Sequence, residues 1–249
     1  AFVFPNQVST GYVFMTASSN HTFSGSNAFS ISIWFKPLTI APNTQGYLFN
    51  FMSSSFAENS AGNNGVSAAA YIDGTEKLFF YIGGSTTAGG GWSQNFKRYD
   101  NIIPAFPTGS FHHLLFTSDG STNLSGIKVY GDGQLLSENG SGNLLENAPS
   151  TVIGQRDGLV RFFNAFASSG VPRTSNELMN MDIGDMAYFK SAISSTQAAQ
   201  IYHEGHLVDL TQSSFSSFAP TSWYKMGAHP SDIIDVKDVS NTDLFLKDA

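Results

Sequence analysis

The chain has no cysteine, and only 12% of its 249 residues carry a charge. The first absence removes disulfides, thiolate metal sites and thiol redox chemistry, although it does not fix the compartment. The second, set against about a quarter in an average globular domain, leaves a surface of Ser, Thr, Asn and Gly that is polar but largely un-ionised. Such a surface suits sugar hydroxyls or packing among neighbouring copies, since hydroxyl and amide groups bond without a salt-sensitive field. Twelve Lys and Arg against 19 Asp and Glu give a formal net charge of −7. No basic run occurs, so nucleic acid, which needs clustered cations, is not an expected partner.

Long apolar runs are also missing: nothing approaches the roughly 18 residues of a membrane span, and no membrane insertion is expected. The N-terminal AFVFPNQVST lacks the basic and apolar parts of a signal peptide and has no initiator Met. We expect a processed chain, one excised from a longer protein, or one without its first residues. There is no Gly-x-Ser-x-Gly turn and no Gly-x-x-x-x-Gly-Lys loop, which removes the commonest nucleophile and phosphate-cradle signatures.

What is present is β-patterned. Apolar residues make up 41% and include 22 Phe, in short alternating blocks bounded by Gly, Asn, Ser and Pro. Ile31, Ile33 and Phe35 alternate with Ser32 and Trp34 before Pro37 ends the run, which predicts a central strand. Asp73-Gly74 predicts a hairpin between 67–72 and 77–82. Leu114–Thr117, Ile127–Tyr130 and Leu135–Leu136, joined through Asp119-Gly120 and Gly131-Asp132-Gly133, predict three successive strands. Ser194 as cap, Gln197 three residues on and a stop at Gly205 predict one short helix. Segments 59–65 and 85–91 read as loops, and 209–220 as a connection returning the chain to a last strand near Trp223. No repeat or composition break divides the chain, so residues 1–249 are read as one domain.

Several of these blocks resemble one family. FSISIWFKP (29–37), HHLLFTSDGS (112–121), IKVYGDGQLL (127–136), TVIGQR (151–156) and DIGDMAYFKSAISSTQAAQIYHEG (182–205) are similar to the concanavalin A-like, laminin G-like jelly-roll superfamily. SWYKMG (222–227) carries a weaker likeness to laminin G-like modules of bacteriophage structural proteins. The resemblance implies an all-β, two-sheet antiparallel sandwich whose concave sheet or rim loops bind glycans or protein surfaces. It does not imply one function, because relatives include lectins, adhesive modules, virus parts and glycoside hydrolases.

The carboxylates decide between these. A retaining glycosidase needs two acids about 5 to 5.5 Å apart, which on one strand means i and i+2. No acidic pair has that spacing, and the Glu-x-Asp-x-x-Glu signature of the family's hydrolase branch is absent. We therefore expect no enzyme. Asp182 and Asp185, three apart, are expected on opposite faces of a strand as turn or edge residues; a pairing of Asp182 with Asp185 or Glu177 is the remaining catalytic option.

His112 and His113 are expected to point oppositely, one inside and one to solvent. His203, Glu204 and His206 lack His-Glu-x-x-His spacing and read as a cation-favouring helix end, not a zinc site. No cofactor is required, but the resemblance implies that a rim calcium is possible, with Asp157, Asp182, Asp185, Asp232 and Asp235 as candidate ligands.

For sugar binding, Trp92 in GGGWSQNFKRY is the candidate platform, with Tyr99 nearby and Arg98 as donor. Trp34 and Trp223 read as core. Phe162, Phe163 and Phe166 are candidate protein-contact residues if exposed. Asn20, Asn123 and Asn139 open Asn-x-Ser/Thr triplets that such a composition produces by chance. The function expected is a non-catalytic binding or display module outside a cell or on a virus particle, recognising a glycan or attached to a protein lattice, in a homo-oligomer or larger assembly. The alternatives are a purely structural coat protein and a polysaccharide-degrading enzyme.

Overall fold

A computed structural model describes residues 2–3, 12–16, 23–25, 27–39, 45–52, 66–73, 75–83, 94–100, 106–121, 124–139, 153–156, 159–162, 180–206, 208–225 and 244–247. The strands in chain order are β1 (Phe2–Val3), β2 (Tyr12–Thr16), β3 (Phe23–Gly25), β4 (Phe29–Thr39), β5 (Gln45–Met52), β6 (Val66–Asp73), β7 (Leu78–Gly83) and β8 (Gln94–Tyr99). They continue with β9 (His112–Ser118), β10 (Ile127–Gly131), β11 (Gln134–Leu135), β12 (Ile153–Arg156), β13 (Leu159–Phe162), β14 (Asn180–Phe189), β15 (Ser222–Lys225) and β16 (Leu244–Lys247). One helix, α1 (Ser195–Tyr202), is found among the described residues.

The first sheet runs β1-β14-β4-β9-β10-β11, with β15 also pairing β14; the second runs β16-β2-β13-β5-β6-β7-β8; β12 and β3 pair separately. All pairings are antiparallel. This is the expected all-β sandwich, and β4 is central, between β14 and β9.

Strand alternation on β4 explains the core. Phe29, Ile31, Ile33 and Phe35 are buried on one face, where Phe29 meets Phe80 edge-on at 6.5 Å. Phe80 in turn meets Phe116 at 5.2 Å and Phe49 at 6.1 Å. Edge-to-face rings fill this layer, each Phe side chain contributing about 1.5–3 kcal/mol by burial.

The opposite face of β4, carrying Ser30, Ser32 and Trp34, is buried as well. A second core of Leu115, Tyr130, Ala187, Phe189, Ile193, Ala198, Ile201, Leu210, Phe215, Phe218 and Trp223 covers it. The first sheet therefore lies between two packed layers, and Ser30 and Ser32 bond inward instead of to water. Ser30 Oγ donates to Ser191 O at 2.7 Å, and Ser32 Oγ bonds His113 Nε2 at 2.8 Å.

Local signals position the covering layer. Ser194 Oγ accepts from Gln197 N and Gln197 Oε1 accepts from Ser194 N, so the predicted capping box forms. The helix ends at Tyr202, earlier than expected, because His203 takes a left-handed conformation; a 3-10 turn then carries the chain to Gly205 at φ 91°. Residues Ser213–Phe218 form a 3-10 segment that buries Phe215 and Phe218, and β15 follows around Trp223. It is not the last strand: β16 pairs β2 at the far edge of the second sheet.

One further expectation is corrected. Pro37 does not end β4; the strand runs on to Thr39 and absorbs the missing N–H at a register shift between Asn180 and Met181. The hairpin of β6 and β7 forms, with Glu76 at φ 65° in its turn. The β10–β11 turn uses Asp132 and Gly133, both at positive φ, as its two-residue connection. The loops expected over 59–65 and 85–91, and Phe163 and Phe166, lie outside the described residues, and Phe162 is placed in β13.

Candidate functional site

Asp182 and Asp185 do not face opposite ways. Ile183 pairs Phe35 and Met186 pairs Ile33, so three steps on β14 oppose two on β4. This bulge brings Asp185 to the face that carries Asp182. Asp182 pairs with Lys36, whose ammonium also stands 5.5 Å from the Phe111 ring centroid. Asp185 Oδ2 accepts from Trp223 Nε1 at 3.1 Å. Asp182 and Asp185 are 4% and 7% exposed, and the bulge is the feature alternation alone misses.

Asp185 lines a cavity of about 10 Å³ with Ser32, Trp34, Ala187, Ile201, Val208, Leu210 and Trp223. That volume holds about one water and no sugar ring. Lys36 already supplies the positive charge beside Asp182. The other candidate calcium ligands, Asp157, Asp232 and Asp235, lie outside the described residues, as does Glu177. Among the described residues no group of three or more His, Asp or Glu converges on a point.

His112 and His113 do point to opposite faces, but neither meets solvent, because both faces of their strand are covered. His112 Nδ1 donates to Asp132 Oδ2 at 2.9 Å and its Nε2 reaches Pro107 O at 3.1 Å. Asp132 Oδ1 accepts from His113 N at 2.8 Å, tying the turn to β9. The His113 ring lies 5.1 Å from Trp34, and Tyr202 stacks on Trp34 at 5.8 Å. Complete burial lowers the His113 pKa to about 3, so the ring is neutral near pH 7. His203, Glu204 and His206 are exposed, with the two rings 6.4 Å apart.

Of the sugar-site candidates, Trp92 lies outside the described residues. Tyr99 is a correction: it pairs Leu78 on the core face of β8, is 2% exposed and cannot stack on a ligand. Burial, with the Glu138 charge behind it, raises its hydroxyl pKa. Arg98, next in the chain, takes the other face. It is partly exposed, pairs Phe79 in register, and holds Asp100 with Nε 2.9 Å from Oδ1. Lys97, again on the core face, reaches out to Glu138 at 2.7 Å, and Asn139 N donates to Arg98 O at 3.2 Å. Residues 138–139 thus fasten the edge strand β8.

Trp34 and Trp223, each 3% exposed, are core residues as expected. Among the described residues no helix is long and apolar enough to cross a membrane.

The two-sheet antiparallel sandwich defines a lectin-like class of fold. Residues 9–168 match the family model of the concanavalin A-like lectin/glucanases superfamily, and the chain belongs to that superfamily. No curated protein matches the sequence.

Among solved structures, the native heptameric SAP-like pentraxin from Limulus polyphemus aligns with a TM-score of 0.55 at 12% identity, over 98% of this chain and 92% of that one. The binding domain of Paraclostridial Mosquitocidal Protein 1 gives 0.51 at 9% identity, over 76% and 40%. A botulinum neurotoxin type C, whose cell entry depends on interaction with two ganglioside molecules, gives 0.50 at 14%, over 81% and 41%. The chain spans about two fifths of either toxin chain's length. At these identities the likeness establishes the fold alone.

Proposed function

We propose that this chain is a single-domain, non-catalytic binding module that recognises a glycan and is displayed on the exterior of a cell or virus particle. The observation that carries the reading is the engagement of Asp182 and Asp185: both are buried, one is held by Lys36 and the other by the Trp223 indole. A glycosidase needs one carboxyl free to give a proton and one free to attack or to activate water. Neither acid meets that need. The weakly charged, hydroxyl- and amide-rich composition and the ganglioside dependence of the neurotoxin type C neighbour support recognition of sugars.

A glycan array with and without a calcium chelator tests this. Selective binding is the expected result, and chelator sensitivity adds calcium to the site. A folded chain that binds no glycan overturns the reading and favours lattice attachment; release of reducing sugar from a polysaccharide overturns its non-catalytic half.

A further inference from the structure

Two acceptors face one buried ring. His112 opens β9 opposite Phe35, with its imidazole 6.3 Å from the Phe35 ring and 5.2 Å from that of Phe106. Its Nδ1 stands 2.9 Å from Asp132 Oδ2, and its Nε2 stands 3.1 Å from Pro107 O. A carboxylate and a peptide carbonyl have no proton to give, and a neutral imidazole has one N–H. The neutral ring therefore satisfies one of the two, whereas the imidazolium satisfies both. Asp132 is engaged as an acceptor on its other oxygen as well, taking the His113 N–H at 2.8 Å. The second acceptor belongs to an exposed surface segment, residues 107–111. Pro107 has no N–H of its own, Gly109 takes φ 89° and donates to Pro37 O at 2.9 Å, and Phe111 ends the segment over the Lys36 ammonium.

We propose that His112 is a proton-operated latch, closed on Pro107 O when the ring is charged and open when it is neutral. Imidazole is the side chain that changes charge across the physiological pH range. In acidic surroundings Nε2 keeps its proton and holds the segment to β9. As the pH rises that proton passes to water, Nδ1–H stays with Asp132, and Pro107 O is left facing a lone pair. The other titratable groups around the ring do not substitute for it. On β9 the neighbouring His113 points to the opposite face and is neutral. On β4 Lys36 lies on the opposite face from Phe35 and pairs with Asp182. At the end of α1 Tyr202 is kept protonated by burial and by the Asp132 charge, both of which raise its pKa. The latch sets how firmly a surface segment bearing the exposed Phe111 is held, whatever the module binds.

Asp132→Asn separates a latch from a merely structural contact. Asn tolerates the left-handed backbone that Asp132 adopts at φ 46°. Its amide can donate to Nδ1 while its oxygen keeps the His113 N–H, so a neutral ring with its proton on Nε2 satisfies every partner. The experiment follows the His112 ring by long-range proton–nitrogen NMR, and Gly109 by amide exchange corrected for its intrinsic pH dependence, from about pH 5.5 to about pH 8.5. In the wild-type chain both ring nitrogens should be protonated at the acidic end and one at the alkaline end. Gly109 protection should fall about tenfold in step, the size of one lost bond to a charged group. In Asp132→Asn the ring should be neutral and Gly109 protection constant. A wild-type ring that is neutral at the acidic end, or still doubly protonated at the alkaline end, overturns the latch. So does Gly109 protection that ignores the ring, or a pH dependence that survives in Asp132→Asn. If that variant fails to fold, the wild-type ring and Gly109 decide between these outcomes.

Discussion

Trp223 Nε1 donates to Asp185 Oδ2 at 3.1 Å across the β14–β15 pair, with both residues buried under the second core. The bulge at residues 183–186 turns Asp185 toward the indole, and the bond in turn fixes the side chain in its layer. Trp223→Phe keeps most of the apolar area and removes the donor. A bond to a charged group is worth about 1.5–3 kcal/mol, so urea unfolding should show a loss of that size. Asp185→Asn in the Trp223→Phe background should recover part of it; a loss equal in both backgrounds would assign the effect to packing.

His113 makes stability depend on pH. Its folded-state pKa is depressed to about 3 from 6.5 by burial, so the unfolded chain takes up a proton below pH 6.5 while the folded chain does not. The stability it carries is complete above pH 6.5 and falls as the pH drops toward 3, at up to about 1.4 kcal/mol per pH unit. The difference between wild type and His113→Phe, followed by denaturant midpoints from pH 7.5 to 4, should shrink steadily with falling pH. A constant difference would mean that the ring titrates alike in the folded and the unfolded chain.

Gly131 lies under the Phe106 ring. A Cβ there would overlap Phe106 Cζ and come within 2.9 Å of Leu136 Cδ2, and Phe106 is held in turn by Phe35 at 6.1 Å and His112 at 5.2 Å. Gly131→Ala should cost about 1–3 kcal/mol through overpacking. A compensating Phe106→Leu should relieve it, as read by thermal unfolding.

The α1 cap gives a smaller effect. Ser194→Ala removes the acceptor for Gln197 N and should lower stability by about 1 kcal/mol. Because Ala198 and Ile201 belong to the second core, the loss should appear in global unfolding and not as local fraying alone.

Much of the sandwich was legible because its signals are local. The alternation of Ile31, Ile33 and Phe35 read as a central strand, Asp132-Gly133 as a tight turn, and Ser194 with Gln197 as a helix start. The site was less so. The bulge that unites Asp182 and Asp185 is a property of pairing with β4, and Tyr99 is buried only because its register partner is Leu78. His112 and His113 were correctly set apart, but the layer that hides the second of them comes from residues about eighty or more positions later.

The doubly covered first sheet also supplies a built-in gauge of the whole molecule. Ile33 and Leu114, register partners on β4 and β9, are fully buried, with one packed layer on either side. Their amides can meet solvent only when both layers open together. Hydrogen exchange at these two positions should therefore report the global unfolding free energy, while faster exchange elsewhere marks the parts that move without it.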